Sequence, residues 1–435
     1  MSRGLVVLVD PPTSPGTTAN RDGAGGLGAL LPGEGGFRYP SLALAVAAAA
    51  LRRAGWPVHV VDAPGEGLTL GQALDRIPQE AKATVVLASW ATADDDAAFL
   101  QALRKARPEV RVLLLAAVLA AWESEPLTRW ADAWTLGDGD LCAPWAVEAV
   151  LEGARGVLAP RALGLAGFSE EGQREALEGL PVPAWDLLPW QRYPFLTALT
   201  SRGCPDGCAY CPYAVGQGTT FRARPADEVV EELIHVARAF RPPRVILRDP
   251  VFARDGERTA AIAEGLARAG ARLNWECESR PEHFVDVRLL RLLRRSGCSS
   301  IKVGVESADP LLLEALGRVR EGMAPAYLEA VRAAREASRA ADLPFRPFVM
   351  VGLPGQTGES VRQTAEFLAG LGPSYLHVKR FVCYPGTHLW REGARVPPSD
   401  EVAAQEGILR RVPLAPPPKV PWWRRAAARL QRGLG

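Results

Sequence analysis

"TALTSRGCPDGCAYC", Thr197 to Cys211, decides how the rest of the chain is read. It begins as a strand and runs without a break into a loop that packs three thiols, Cys204, Cys208 and Cys211, into eight positions. A structural zinc site takes four protein ligands, usually as two separated pairs, and three clustered cysteines match that poorly. A 4Fe-4S cluster has four irons, so three thiolates leave one iron without a protein ligand and open to a small chelating molecule. Bends at Gly203, Pro205 and Gly207 let the loop wrap a cuboidal cluster, since glycine tolerates positive φ.

Working outward, strand-like runs continue downstream to about residue 382: "RVILR", "ARLNWEC", "SSIKVGV", "FRPFVMV" and "YLHVKRFV", separated by helical stretches such as "ADEVVEELIHVARAF" and "VDVRLLRLLRRSG". With "TALTS" these make six βα units, which predict a curved, partly closed parallel barrel over 198–390. Upstream, "LVVLV" (5 to 9), "VHVV" (58 to 61), "TVVLA" (84 to 88) and "VRVLLLA" (110 to 116) read as buried parallel strands. They alternate with helical "SLALAVAAAALRRAG", "LGQALDRI" and "DDDAAFLQALRKA", the last with Asp94 as its expected N-cap. Residues 1–153 therefore predict an open, flavodoxin- or Rossmann-like parallel sheet, with its ligand crevice after Val9, Val61, Ala88 and Ala116. A loop at 11–40, with glycines at 16, 23, 25, 26, 28, 33, 35 and 36, is expected to bring bare backbone up to a ligand. Residues 154–197, with proline-rich "LPVPAWDLLPW", read as a linker, and 391–435 as a basic tail.

A chain of 435 residues exceeds what one core usually supports, in keeping with that division. Its 51 basic and 49 acidic side chains nearly cancel, so no global field recruits nucleic acid. The apolar run "LALAVAAAAL" is about half of the ~20 residues that a bilayer span needs. Seven cysteines, an odd number, behind a start that goes straight into a strand imply reduced thiols and a cytoplasmic location.

The motif "CPDGCAYC", a C-x3-C-x2-C pattern with Tyr210 before its last cysteine, resembles that of the radical S-adenosylmethionine (SAM) enzymes. The resemblance implies that Cys204, Cys208 and Cys211 ligate three irons while SAM chelates the fourth, with Tyr210 among the SAM contacts. It also implies an electron donor such as a flavodoxin or ferredoxin, whose electron cleaves SAM to a 5'-deoxyadenosyl radical. "FRARPADEVVEEL", "GVES" (304 to 307), "VGLPGQT" (351 to 357) and "YPGT" (384 to 387) are similar to the subfamily that joins an N-terminal cobalamin-binding domain to the radical barrel. Many relatives hold the methionyl amine with a Gly-Gly-Glu turn, whereas this chain has "LRDPVF", leaving Asp249 as the candidate acceptor. Glu306 is read as a hydrogen-bond acceptor for SAM, or else a helix-start carboxylate. Arg280 is read as a SAM carboxylate contact, or a partner of Glu276 or Glu278. Cys277, Cys298 and Cys383 read as small core residues, and Tyr384 as facing substrate or closing a turn.

In the N-terminal half, "HVVDAPGEG" and "LGDGD" resemble the cobalamin-binding part of the subfamily, which makes Asp62, Gly65, Gly137 and Asp138 its candidate cobalamin contacts. No histidine has the Asp-x-His-x-x-Gly setting of a lower axial ligand, and His59 falls within a strand, so cobalt without protein imidazole is expected. The C-terminal segment around Trp422 and Trp423 could lie on an anionic membrane surface or dock a partner. The function implied is cobalamin-dependent methyl transfer to an unactivated carbon of a small molecule. The alternatives are radical cyclisation or oxidation without methyl transfer, and a non-catalytic iron-sulfur protein.

Overall fold

The computed structural model describes residues 3–32, 38–116, 125–161, 164–170 and 172–416. The chain divides into two compact units. The first comprises Met1–Gly207, Cys211–Glu228 and Tyr384–Glu392, and the second Cys208–Tyr210, Val229–Cys383 and Gly393–Gly435. The fold class expected from the sequence, an open parallel α/β sheet followed by a partial parallel barrel, is the one observed.

In the first unit, β1 (Leu5–Asp10) is buried on both faces, which its unbroken Val and Leu run requires. An antiparallel pair, β2 (Thr17–Asn20) and β3 (Ala29–Pro32), gives the glycine-rich loop a structure of its own. Then follow β4 (Val58–Asp62), β5 (Ala81–Leu87), β6 (Arg111–Leu115), β7 (Ala133–Thr135) and β8 (Gly156–Leu158), giving a parallel sheet in the order β4-β1-β5-β6-β7-β8. Helix Leu42–Arg53 is capped by Ser41, and its alanine run lets it lie close, with Ala45, Ala47 and Ala48 fully buried. In helix Ala93–Ala106 the N-cap is Thr92 rather than Asp94, which falls inside the first turn. The cause is Asp96: its buried carboxylate accepts the Ser89 N–H at 3.0 Å and the Thr92 hydroxyl at 2.6 Å, which draws the helix start back.

The cysteine segment is bracketed by short strands of the first unit: β9 (Leu196–Ala198), and then β10 (Ser201–Arg202) paired antiparallel with β11 (Arg222–Ala223). In the second unit, β12 (Val245–Leu247), β13 (Trp275–Ser279), β14 (Cys298–Glu306), β15 (Phe345–Val351) and β16 (His377–Arg380) pair in parallel in chain order. The helices Gly256–Arg268, Val287–Arg295, Ala324–Ala340 and Gly358–Leu371 make the crossovers. Along β15, Phe345, Pro347, Val349 and Val351 are buried while Arg346, Phe348 and Met350 on the other face are half-buried, the alternation of a sheet with one apolar face. Among the described residues no helix is long and apolar enough to cross a membrane. Trp422, Trp423 and the glycines at 33, 35 and 36 lie outside the described residues.

Candidate functional site

Cys204 and Cys211 belong to the first unit, Cys208 and Tyr210 to the second, and all three thiols are partly exposed. Gly203 has φ +80°, and a Cβ there would stand 2.0 Å from the Thr220 carbonyl oxygen, so only glycine fits this approach to β11. The Cys204 N–H donates to the Gly218 carbonyl at 3.1 Å, and the Cys204 thiol lies 3.4 Å from an Asp206 carboxylate oxygen. Among the described residues no three His, Cys, Asp or Glu side chains are grouped so as to hold a single metal ion. Three soft sulfur donors within eight positions of the sequence are the right chemistry for a multi-iron cluster.

In the second unit the structure groups Cys208, Arg280 and Glu306 around a residue that the sequence did not single out, Arg318. Its Nη1 lies 3.8 Å from the Cys208 sulfur, its Nε donates to the Tyr327 hydroxyl at 2.8 Å, and its Nη2 donates to the Gly304 carbonyl at 2.9 Å. Glu306 stands 3.9 Å from the same guanidinium. Arg280 donates to the Arg318 carbonyl at 3.1 Å, pairs with Glu282 at 3.1 Å and lies over the Tyr327 ring. Glu276 is held by Arg244, Lys302 and Arg346. Glu306 ends β14 with φ +64°, an uncommon conformation for glutamate. Burial pushes its carboxyl above the usual range, against the opposing pull of Arg318. It is not a helix-start carboxylate, because Asp309 caps the helix Pro310–Ala315. Asp249 is buried just beyond β12. Cys277 and Cys298 are buried free cysteines, as a core role requires.

The first-unit candidates are engaged with their own fold. The Asp62 carboxylate accepts the Gly65 N–H at 2.9 Å and the Tyr193 hydroxyl at 2.5 Å, and a Cβ on Gly65 would collide with both groups. Asp138 and Asp140 form a buried network with two arginines that flank the cysteine motif. Arg202 donates to Asp138 at 2.7 Å and to Asp140 at 2.6 Å, while Arg222 donates to Asp138 at 2.5 Å. The Arg174 N–H, at 2.8 Å, completes the Asp138 shell. Burial alone would raise the Asp138 carboxyl, but the charges of Arg202 and Arg222 outweigh it and hold the group below the usual carboxylate range. The carboxylates of Asp62 and Asp138 are thus hydrogen-bonded within the fold, and Gly137 turns with φ +56°.

The glycine-rich loop is also used internally. A Cβ on Gly216 would lie 1.6 Å from the Gly25 carbonyl oxygen, so the loop and the helix Tyr213–Gln217 that follows Cys211 pack backbone against backbone. Arg21 pins the loop, reaching Asp10 at the end of β1 and Asp96 at 2.5 Å with no side-chain exposure. Past β5, Trp90 stands edge-on to Tyr384, 5.7 Å between centroids, and the Tyr384 carbonyl accepts the Thr387 hydroxyl, which makes "YPGT" a capped turn. The first unit's two histidines are His59, inside β4, and His388, 3.1 Å from Glu392.

Residues 199–368 match the model of the Radical SAM superfamily. The chain is 28% identical over 270 residues to an uncharacterized methyltransferase of Pyrococcus horikoshii, covering 60% of this chain and 57% of that protein. It is 26% identical over 226 residues to the hopanoid C-2 methylase of Rhodopseudomonas palustris, covering 50% of this chain and 42% of that one. The chain thus spans about half the length of these curated relatives. Among solved structures, its fold is similar to that of the radical S-adenosylmethionine methyltransferase TsrM from Kitasatospora setae, with cobalamin and a [4Fe-4S] cluster bound. That likeness has a TM-score of 0.71 at 19% identity and covers 92% of this chain and 80% of the other.

Proposed function

We propose, from the match of residues 199–368 to the Radical SAM superfamily, that this chain is a cobalamin-dependent radical SAM methyltransferase acting on an unactivated carbon of a small molecule. Cys204, Cys208 and Cys211 hold the 4Fe-4S cluster, and SAM completes it at the iron that the protein leaves open. When bound, the cluster supplies the electron that cleaves SAM, and cobalamin supplies the carrier for the methyl group. Glu306, Arg280, Asp249 and Tyr210 face SAM in this reading. Glu306 and Arg280 already stand beside Cys208 through Arg318, and the carboxyl ends of parallel strands are where such folds place their chemistry.

What carries the reading is the three-thiol motif inside a fold whose likeness to a cobalamin-bound methyltransferase extends over 92% of the chain, N-terminal sheet included. Residues 1–153 are then the cobalamin half, and 198–390 the radical barrel. The positions of His59 and His388 agree with a cobalt that takes no imidazole from the protein. A low-potential flavodoxin or ferredoxin as electron donor and a cytoplasmic location, suited to reduced thiols, complete the proposal.

The test is cobalamin retention. Full-length, cluster-replete protein supplied anaerobically with hydroxocobalamin should keep about one equivalent, as a single site implies. Its spectrum should show no histidine nitrogen on cobalt. Protein that binds a cluster and cleaves SAM but retains no cobalamin would favour radical cyclisation or oxidation without methyl transfer.

A further inference from the structure

Arg318 lies 110 residues from Cys208 along the chain, yet its guanidinium is aimed at the Cys208 sulfur, 3.8 Å away. Two neutral acceptors hold it there: the Tyr327 hydroxyl on Nε and the Gly304 carbonyl on Nη2. The Tyr327 hydroxyl donates in turn to that same carbonyl, locking the acceptor pair together. The backbone is fixed as well, since Arg280 holds the Arg318 carbonyl and the Ala209 N–H, next to Cys208, donates to the Leu316 carbonyl at 2.9 Å. The side chain is 10% exposed, and Glu306, at 3.9 Å, is beyond hydrogen-bond distance. A cation is thus held against one sulfur of the cysteine motif, and among the described residues no ion pair closer than the 3.9 Å contact with Glu306 cancels it.

We infer that Arg318 is a positioning residue for the cluster: the N–H it directs at the Cys208 sulfur stabilises the reduced cluster more than the oxidised one and so raises its reduction potential. The inference rests on the cluster proposed above. Reduction adds one negative charge to a cluster already carrying thiolates, and part of that charge resides on sulfur. Hydrogen bonds to cluster sulfurs, net charge and exposure are the levers that set such potentials, and a charged donor acts more strongly than a neutral one. The electron comes from an external one-electron reductant, dithionite in the test. Arg318 is protonated before and after, so no proton or leaving group moves.

The experiment is an anaerobic, EPR-monitored redox titration of reconstituted full-length protein, with iron and sulfide counted in every sample, for the wild type, R318Q and R318K. R318Q should keep its iron but show a roughly tenfold lower ratio of reduced to oxidised cluster at the wild-type midpoint, a shift of ~59 mV for a one-electron couple. R318K keeps the charge without the planar fork, and its ratio should stay within about threefold of the wild type. If R318Q loses iron while R318K retains both iron and midpoint, the requirement for a cation stands. R318Q with full iron and an unmoved midpoint overturns the inference. So does loss of iron from both variants, which would make Arg318 a purely structural residue. A wild-type protein that binds no 4Fe-4S cluster is a different failure and sinks the functional reading itself.

Discussion

Replacing Asp138 with alanine tests whether the acid–arginine network is what secures the cysteine hairpin β10–β11. Two carboxylates, Asp138 and Asp140, balance two guanidinium groups, Arg202 and Arg222. Side-chain exposures in the network run from 1% to 9%, so water can replace little of what is lost. Removing Asp138 leaves a net buried positive charge; Arg202 keeps Asp140, but Arg222 falls back on the carbonyls of Arg174 and Gln217. Breaking a buried pair from one side costs about 3–5 kcal/mol. For a unit of this size each kcal/mol moves a melting transition by about 2–4 °C, so the first transition should fall by roughly 6–20 °C in scanning calorimetry. Asp186→Ala is the control: its bidentate pair with Arg52 is about half exposed and contributes ~1 kcal/mol or less. The Asp138 carboxyl is held below its unfolded value. Its contribution is therefore fully present above the unfolded pKa of about 3.9 and lost as pH falls through the folded value, so the gap between D138A and wild type should be flat near neutrality and close in acid. A D138A protein that melts within 2 °C of D186A would refute the argument, with that ~2 °C margin set by the size-scaled shift per kcal/mol.

Two further outcomes are expected. Gly216→Ala must push the Gly25 carbonyl away and should destabilise by about 1–3 kcal/mol, whereas Gly71→Ala, in open space on the helix Leu70–Asp75, should stabilise by ~0.5–1 kcal/mol in thermal melts; equal effects would mean that the backbone contact is not tight. Glu306→Gly relieves a left-handed glutamate, worth about 1–3 kcal/mol, so the variant should melt at or above the wild-type temperature while losing anaerobic SAM cleavage. Undiminished cleavage there would take Glu306 out of the SAM site.

The elements that could be read from sequence are those whose own pattern is sufficient. The valine- and leucine-rich β1 and the alternating β15 were legible because burial on two faces or on one writes itself into neighbouring residues. Strands β7 and β8, three residues each, are too short to carry a period. The N-cap at Asp94 was misplaced because Asp96 answers to Arg21, a partner 75 residues away. The cysteine motif was legible because its spacing is local. The guanidinium against it was not, since nothing near Arg318 marks it out among 51 basic residues. Glycines were read as space for a ligand, but several make room for protein: Gly25 for the backbone of Pro212 and Tyr213, Gly216 for that of Gly25, and Gly28 for Ser89.

The network around Asp138 also bears on how such a chain can be inherited. Its acids come from the turn that follows β7 in the N-terminal sheet, and its bases from either side of the cysteine motif. Each half alone would bury charge it cannot neutralise. A polypeptide started near residue 180 would carry Arg202 and Arg222 with no acid from this turn to receive them, and an N-terminal segment grafted elsewhere would carry Asp138 and Asp140 likewise unanswered. The sheet is therefore no cassette that recombination can trade freely. A viable exchange has to bring the matching pair with it, or substitute both members in step, so the two stretches are bound to one evolutionary history although they lie some sixty residues apart.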